Sequence, residues 1–303
     1  MSQSGEASIA RTPGLSTPLR LLFDLFKLRI GLAIGLAALT GAMVTPGPLP
    51  QTWRLAALTV AVTLTSAAAG AFNQYVERDL DARMRRTRGR AFVTGQFVAG
   101  PEWLVAIAAM AVAGIALAQI AGNTMSAIYT FLGAFTYSVV YTLWLKRRTW
   151  WNIVIGGLAG SFAVLAGAAA VSPTHLTPMP LMFALLLFLW TPPHFWSLAI
   201  AYRDDYAAAR IPMLPVVVGT AHASRAVLLG ALLLVAASFV PAALGLGWPY
   251  LAGAIGGGAY FVYRSALLAH APNRRWAMTT FYASLFELTL LLVSAIVDTA
   301  LRG

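Results

Sequence analysis

The sequence predicts an all-α polytopic membrane protein with nine transmembrane helices. Of its 303 residues, 59% are hydrophobic and only 10% are charged, whereas about a quarter of the residues of a soluble domain carry charge. Nine apolar runs are present, each close to the ~20 residues that a helix needs to cross the hydrocarbon core of a bilayer. The basic residues also fall almost entirely on one side of the predicted bundle.

The chain begins with a polar segment, residues 1–20, which we expect to form a mobile tail. No apolar segment precedes a small-residue cleavage site there, so no cleavable signal peptide is expected. A single transmembrane domain, residues 21–303, follows. Its spans are predicted at about 22–44, 55–75, 103–121, 124–145, 150–171, 180–201, 226–246, 250–267 and 277–300. Small residues recur within these spans, as close packing of membrane helices favours.

The basic residues predict the orientation of the chain. Nineteen of the 21 Lys and Arg residues lie on the same side of nine spans as the N-terminus, and only Arg54 and Arg302 lie on the other. Because cytoplasmic loops are rich in Lys and Arg, the N-terminus is predicted to be cytoplasmic and the C-terminus extracytoplasmic, in a multi-pass protein of the cell (inner) membrane. This placement accounts for the net charge of +11 without a nucleic-acid partner.

A column of polar side chains lies at the cytoplasmic end of the second span. Asn73, Glu77 and Asp81 are spaced i, i+4, i+8, which places them on one helix face, each roughly 6 Å along the axis from the last. Mg²⁺ typically takes one or two carboxylates and completes its coordination with water and substrate phosphate. The column therefore predicts a site for Mg²⁺.

An arginine cluster follows the column at once, and the guanidinium groups suit phosphate oxygens. It consists of Arg83, Arg85, Arg86, Arg88 and Arg90. Together with the column, it indicates a diphosphate site at a membrane surface. A solvated, salt-bridged helix end is the alternative interpretation of the same residues.

A second acidic site is predicted where the sixth span reaches the cytoplasmic side. Asp204 and Asp205 lie there, level with the first column, and His194 lies on the same helix face, roughly 16 Å deeper than Asp205. Spans two and six thus share a direction and an acidic ending. This predicts two four-helix units, spans one to four and five to eight, with a ninth helix added.

Two acidic sites that hold one diphosphate through Mg²⁺ suit the departure of pyrophosphate from an allylic carbon. Metal ions and cationic side chains stabilise the charge that develops on the leaving group. The apolar interior would then house a prenyl chain and exclude water from the allylic cation.

Four stretches carry a resemblance to a known family and extend it over nearly the whole chain after the tail. They are Asn73-xxx-Glu77-xxx-Asp81-xx-Met84-x-Arg86-Thr87-xx-Arg90, Tyr141-Thr-Leu-Trp-Leu-Lys146-Arg147-Arg148-Thr149, Trp190-Thr-Pro-Pro-His194-Phe-Trp196 and Asp205-Tyr206-xxxx-Ile211-Pro-Met-Leu-Pro215. The chain resembles the UbiA superfamily of intramembrane prenyltransferases, and the last two stretches resemble its heme-modifying branch.

The resemblance implies a nine-helix fold, Mg²⁺, farnesyl diphosphate as donor and heme B as acceptor, with heme O and pyrophosphate as products. Asn73, Glu77, Asp81 and Asp205 would hold metal and diphosphate, and Asp204 would complete the second acidic site. His194 would serve the heme side. The remaining substrate-binding residues would be Arg86, Arg90, Lys146, Arg147, Trp196 and Tyr206. Further partners would be the lipid bilayer and other proteins of heme-oxidase assembly.

Two other functions remain open at this point. One is prenyl transfer to an aromatic or lipid acceptor, against which His194 and its flanking Pro and Trp weigh. The other is secondary transport, which places its ion sites near the midplane rather than at the cytoplasmic rim. Glu287, near the middle of the ninth span, is unexpected for this family. It either bonds to a neighbouring helix in protonated form or lines the cavity.

Overall fold

The computed structural model describes residues 16–302, and this part of the chain is almost entirely helical and contains no strand. The helices are α1 (Ser16–Leu25), α2 (Leu28–Met43), α3 (Thr52–Val76), α4 (Arg78–Arg83), α5 (Ala91–Thr94), α6 (Pro101–Ala121), α7 (Thr124–Phe135), α8 (Asn152–Gly156), α9 (Leu158–Val171), α10 (Pro178–Ala201), α11 (Arg203–Ala208), α12 (Leu214–Val217), α13 (Gly219–Ala237), α14 (Val240–Ala243), α15 (Trp248–His270) and α16 (Arg274–Ala300). A π-helical segment, Thr136–Leu145, continues α7.

All nine predicted spans are helical, and seven of the helical segments in the described residues are long and apolar enough to cross a membrane. The other two spans are α2, which has 16 residues, and α15, which has 23 residues but includes Arg264 and several glycines. The all-α membrane fold is therefore confirmed, and the count of nine crossings stays a prediction.

The first predicted span is broken near its start. Lys27 separates α1 from α2 and adopts left-handed backbone angles, φ 47° and ψ 44°, a conformation that non-glycine residues rarely adopt. The predicted polar tail, residues 1–20, overlaps α1, because residues 16–20 are helical. Residues 1–15 lie outside the described part of the chain.

The long helices pack mainly against their neighbours in sequence. α2, α3, α6 and α7 form one group, and α10, α13, α15 and α16 form another. The fifth span, α9, packs on α2 and α7 as well as on α10, so it joins the two groups. Further contacts of α16 with α2 close the bundle.

Glycine allows α2 and α9 to approach closely. A Cβ atom at Gly167 would overlap the carbonyl oxygen of Ala38, and a Cβ atom at Gly41 would overlap that of Val164. Small residues at a crossing let two membrane helices make backbone contact. This contact fixes α2, which begins directly after Lys27.

The acidic residue in the ninth span is part of the protein interior. Glu287 is fully buried on α16 and faces Gly257 of α15, and neither of its carboxylate oxygens has a hydrogen-bond partner among the described residues. The sequence left open a protonated Glu287 that is hydrogen-bonded to a neighbouring helix, and the structure shows no such hydrogen bond within residues 16–302.

Candidate active site

The predicted column is held across a helix break. α3 ends at Val76 and α4 begins at Arg78, yet the N–H of Glu77 donates to Asn73 (3.1 Å) and the N–H of Asp81 donates to Glu77 (2.8 Å). The i to i+4 register of the column is thus preserved through the break. Asn73, Glu77 and Asp81 are 3%, 1% and 0% exposed, so the column faces the protein interior.

Each member of the column contacts a cation from another part of the chain. Lys146 Nζ lies 2.5 Å from Glu77 Oε2, and Arg90 Nη1 lies 2.6 Å from Asp81 Oδ2. Lys27 Nζ donates to Asn73 Oδ1 over 2.8 Å. The site therefore contains three cations and two carboxylates.

The structure brings the second acidic segment to the first through Asp205. The Asp205 carboxylate is buried and accepts two hydrogen bonds from the arginine cluster, one from the N–H of Arg86 (3.0 Å) and one from Nε of Arg85 (3.2 Å). Burial alone would raise the pKa of Asp205, but these hydrogen bonds and the charge of Arg85 outweigh it and lower the pKa below its ordinary value. The carboxylate is therefore an anion that fastens the arginine cluster to α11.

Two of the predicted residues lie at the exposed edge of this arrangement. The side chain of Asp204 is 82% exposed, and its nearest cation is Arg203 at 3.8 Å. Arg147 forms two hydrogen bonds with Asp79, of 3.1 and 2.9 Å, and both side chains are about half exposed. Burial would raise the pKa of Asp79, but Arg147 lowers it overall. The structure does not bring Asp204 into contact with the column.

Two further predicted residues, Tyr206 and Trp196, pack below the acidic segments. Tyr206 is buried in an apolar cluster with Leu80 and Met84 of the first motif, and Trp196 packs against the same cluster. The indole Nε1 of Trp196 is buried without a hydrogen-bond partner in the described residues. The two acidic motifs thus share one apolar core.

The donor atoms of the column fit a bound Mg²⁺ ion. Glu77 Oε1 and Asp81 Oδ1 are buried and have no hydrogen-bond partner, so each retains an oxygen for a hard cation. Residues 16–302 contain no cluster of three or more His, Asp or Glu side chains with metal-binding geometry. Two carboxylates, an amide oxygen and substrate phosphate would suffice, because Mg²⁺ uses few protein ligands.

His194 occupies a separate, deeper position on α10. Its ring is stacked between Trp190, at a centroid distance of 4.1 Å, and Phe281 of α16, at 4.4 Å. Its Nδ1 lies 2.7 Å from the hydroxyl oxygen of Ser284. Both faces and one nitrogen of the imidazole are therefore occupied by protein, which leaves Nε2 as the nitrogen for a substrate.

Sequence reasoning missed one residue of the site, Lys27, which counts there only among the basic residues that predict the orientation of the chain. The signal for Lys27 was available, since the residue lies within the predicted span 22–44 and an ionisable residue within a membrane span commonly marks function. Its contact with Asn73, 46 positions away, required the tertiary structure.

Comparison with known proteins agrees with this fold. Residues 34–286 match the UbiA prenyltransferase family. The chain is 55% identical over 289 residues to Protoheme IX farnesyltransferase 2 of Paramagnetospirillum magneticum, covering 95% of this chain and 100% of that protein. It is 46% identical over 280 residues to Protoheme IX farnesyltransferase 1 of the same organism, covering 92% and 98%.

Solved structures show the same architecture at lower identity. A structure of digeranylgeranylglyceryl phosphate synthase has a TM-score of 0.74 at 16% identity and covers 93% of this chain and 99% of that one. A UbiA homolog from Archaeoglobus fulgidus bound to DMAPP and Mg²⁺ has a TM-score of 0.67 at 12% identity and covers 89% and 98%. The chain therefore belongs to the UbiA prenyltransferase family and is an integral, multi-pass membrane protein.

Proposed function

We propose that this protein transfers the farnesyl group of farnesyl diphosphate to a vinyl group of heme B, with a water molecule supplying the hydroxyl group of the product, and gives heme O and pyrophosphate for heme-copper terminal oxidases. The observation that carries the proposal is the 55% identity, over the full length of the relative, to a protein named Protoheme IX farnesyltransferase 2. The buried column with its three cations supports it, since this arrangement suits a diphosphate leaving group.

At the donor, Glu77 and Asp81 would hold Mg²⁺ with Asn73, and Asp205 would face the same diphosphate from the second segment. Mg²⁺, when bound, supplies Lewis-acid stabilisation of the charge on the diphosphate oxygens. Lys146 and Arg90 now pair with the metal-binding carboxylates. When the diphosphate binds, they turn to its oxygens and stabilise the negative charge that develops as the allylic bond breaks.

At the acceptor, His194 contacts heme through Nε2, because Nδ1 is already paired with Ser284. The stacked rings of Trp190 and Phe281 fix the imidazole plane. The apolar interior excludes water from the cation formed on the donor. The acceptor site is thus rigid and largely apolar, whereas the donor site is charged and lies at the rim.

The test uses Asp81→Asn, which keeps the shape of the side chain and removes its charge. We expect purified wild-type protein to release pyrophosphate from farnesyl diphosphate only with both Mg²⁺ and heme B, and mass spectrometry to detect heme O. Asp81→Asn should abolish turnover and weaken Mg²⁺-dependent binding of the donor. Normal turnover of Asp81→Asn with unchanged Mg²⁺ dependence would contradict the column as the metal site.

The proposed location is the cell membrane, with the N-terminus in the cytoplasm and the column facing the cytoplasm. The skewed distribution of Lys and Arg supports this orientation. A reporter inserted near Arg88 should give a cytoplasmic signal and one fused after Arg302 an extracytoplasmic signal. Cytoplasmic signals from both positions would show that the chain does not cross the membrane nine times.

Proteins of heme-oxidase assembly are the expected partners.

A further inference from the structure

Tyr202 joins α10 to α11 and lies beside two guanidinium groups from different parts of the chain. The guanidinium carbon of Arg86 is 5.5 Å from the centroid of the Tyr202 ring, and that of Arg274 is 5.4 Å away. Arg86 belongs to the arginine cluster and is fixed there by its backbone hydrogen bond to Asp205. Arg274 is the first residue of α16, which contributes nothing to the column.

These two guanidinium groups lack a compensating anion. In the described part of the chain, Arg85, Arg90 and Lys146 each form an ion pair with a carboxylate, whereas neither Arg86 nor Arg274 has one within 4 Å. A tyrosine ring offers an exposed cation only about 0.5–1 kcal/mol. Two cations around one ring therefore form a site that attracts an anionic group.

The position of this pair relates it to the acceptor. Along α16, Phe281 follows Arg274 by seven residues, about two helical turns, and Phe281 stacks on His194. Along α10, Tyr202 follows His194 by eight residues, or roughly 12 Å. The cation pair thus lies at the cytoplasmic end of the same two helices that hold His194 in the interior.

We infer that Arg86 and Arg274 bind the carboxylate groups of the acceptor, which are the two propionates of heme. This inference rests on the proposed function. Heme B carries its propionates together on one edge of an otherwise apolar ring. Guanidinium groups bind carboxylates through paired, charge-assisted hydrogen bonds. With the propionates at the rim, the apolar ring extends into the interior toward His194.

The donor diphosphate is the other anion that such cations could attract, but the column already has three cations of its own, since Lys27, Arg90 and Lys146 contact Asn73, Asp81 and Glu77. A carboxylate-binding site beside Tyr202 gives Arg274 a role in binding the acceptor, which Lys27, Arg90 and Lys146 do not have. It also provides selectivity, because an acceptor without acidic groups gains nothing from this pair.

The test compares Arg274→Gln with a matched control, Arg275→Gln. Arg275 is the adjacent arginine and is exposed like Arg274, but its guanidinium lies over Trp276 at 5.4 Å rather than over Tyr202. KM values are measured for farnesyl diphosphate, for heme B and for heme B dimethyl ester, in which both propionates are neutral. We expect Arg274→Gln to raise KM for heme B about tenfold, the lower end for a charge-assisted hydrogen bond, because the rim is open to water.

Three comparisons decide the outcome. The proposal requires that KM for farnesyl diphosphate stays unchanged in Arg274→Gln, that the dimethyl ester reacts equally well with both variants, and that Arg275→Gln behaves as wild type. An increase confined to farnesyl diphosphate would assign Arg274 to the diphosphate instead and overturn the proposal. An equal loss with heme B and its ester, or no loss with either, would overturn it as well. Failure of wild-type protein to farnesylate heme B would refute the proposed function itself.

Discussion

Replacement of Lys146 by methionine tests whether the carboxylates of the column bind a metal ion. In this hypothesis, protein cations such as Lys146 pair with those carboxylates when no metal is bound. Methionine keeps much of the length of the lysine side chain and removes its charge. In the structure, Lys146 is the only cation within ion-pair distance of Glu77 among the described residues, and the two side chains are 9% and 1% exposed. The variant therefore leaves Glu77 buried with both oxygens unpaired.

The size of the effect follows from this burial. Breaking a buried ion pair by removing one partner costs about 3–5 kcal/mol, and the nearby rim favours the lower value. A divalent cation bound to Glu77 replaces the lost charge, and in the variant it no longer meets the repulsion of Lys146. We expect Lys146→Met to bind Mg²⁺ alone about tenfold more tightly than wild type, which corresponds to about 1.4 kcal/mol. It should bind farnesyl diphosphate more weakly, because a cation for the phosphate oxygens is lost.

Thermal unfolding in detergent, with EDTA or with a series of Mg²⁺ concentrations, measures both effects. Intrinsic fluorescence is a suitable probe because the chain has nine tryptophans and no cysteine for thiol-reactive dyes. Lys146→Met should unfold at a lower temperature than wild type in EDTA, and saturating Mg²⁺ should narrow the difference, since a ligand stabilises the folded state that binds it. Arg147→Met is the matched control, because Arg147 pairs with Asp79 at the exposed edge and such pairs contribute little.

The response of the unfolding temperature to Mg²⁺ is compared between Lys146→Met and wild type, and between Lys146→Met and Arg147→Met. If Mg²⁺ raised the unfolding temperature of Lys146→Met no more than that of wild type, Glu77 would not be a metal ligand. If Arg147→Met showed the same response to Mg²⁺ as Lys146→Met, the effect would reflect the general loss of positive charge rather than the buried pair.

Two further predictions follow from packing and from the deeper part of the site. Gly167→Ala should lower the unfolding temperature by forcing α2 and α9 apart, at a cost of about 1–3 kcal/mol. Gly256→Ala is the control and should have little effect, because nothing lies within 4 Å of its Cβ position. Equal changes in unfolding temperature for the two variants would contradict the close contact of α2 and α9. His194→Ala should lose heme O formation while it retains Mg²⁺-dependent binding of farnesyl diphosphate, whereas Asp205→Asn should lose binding of farnesyl diphosphate while heme B still binds. Equal loss of diphosphate binding in both variants would refute the division between donor and acceptor sites.

The sequence predicted the column because its members are neighbours along one helix. The spacing of Asn73, Glu77 and Asp81 determines their common face through local geometry alone. The i to i+4 backbone hydrogen bonds preserve that face across the break after Val76. The long apolar spans were predictable for a similar reason, since their length is set by the thickness of the bilayer.

The partners of the column could not be read from the sequence in the same way. Lys27, Arg90 and Lys146 reach it from three separate segments. The sequence offered Arg90 only as one member of the arginine cluster, and it offered Lys146 only through the family resemblance. The left-handed backbone at Lys27 interrupts a span that reads as continuous. No local propensity predicts that interruption, because tertiary contacts such as those of Lys27 with Asn73 and Tyr137 hold it in place.

Asp205 shows that the sequence can place two motifs close together without showing whether their side-chain oxygens are free to bind a metal. The parallel course of α3 and α10 correctly placed both acidic endings at one rim, but a metal role for Asp205 assumes that its oxygens are available. Both oxygens accept hydrogen bonds from Arg85 and Arg86 in the structure. For Asp205 to join a metal site, the arginine cluster must release it. Such a release would place Arg85 beside the incoming diphosphate, so that substrate binding and the rearrangement of the second acidic site would be one coupled event.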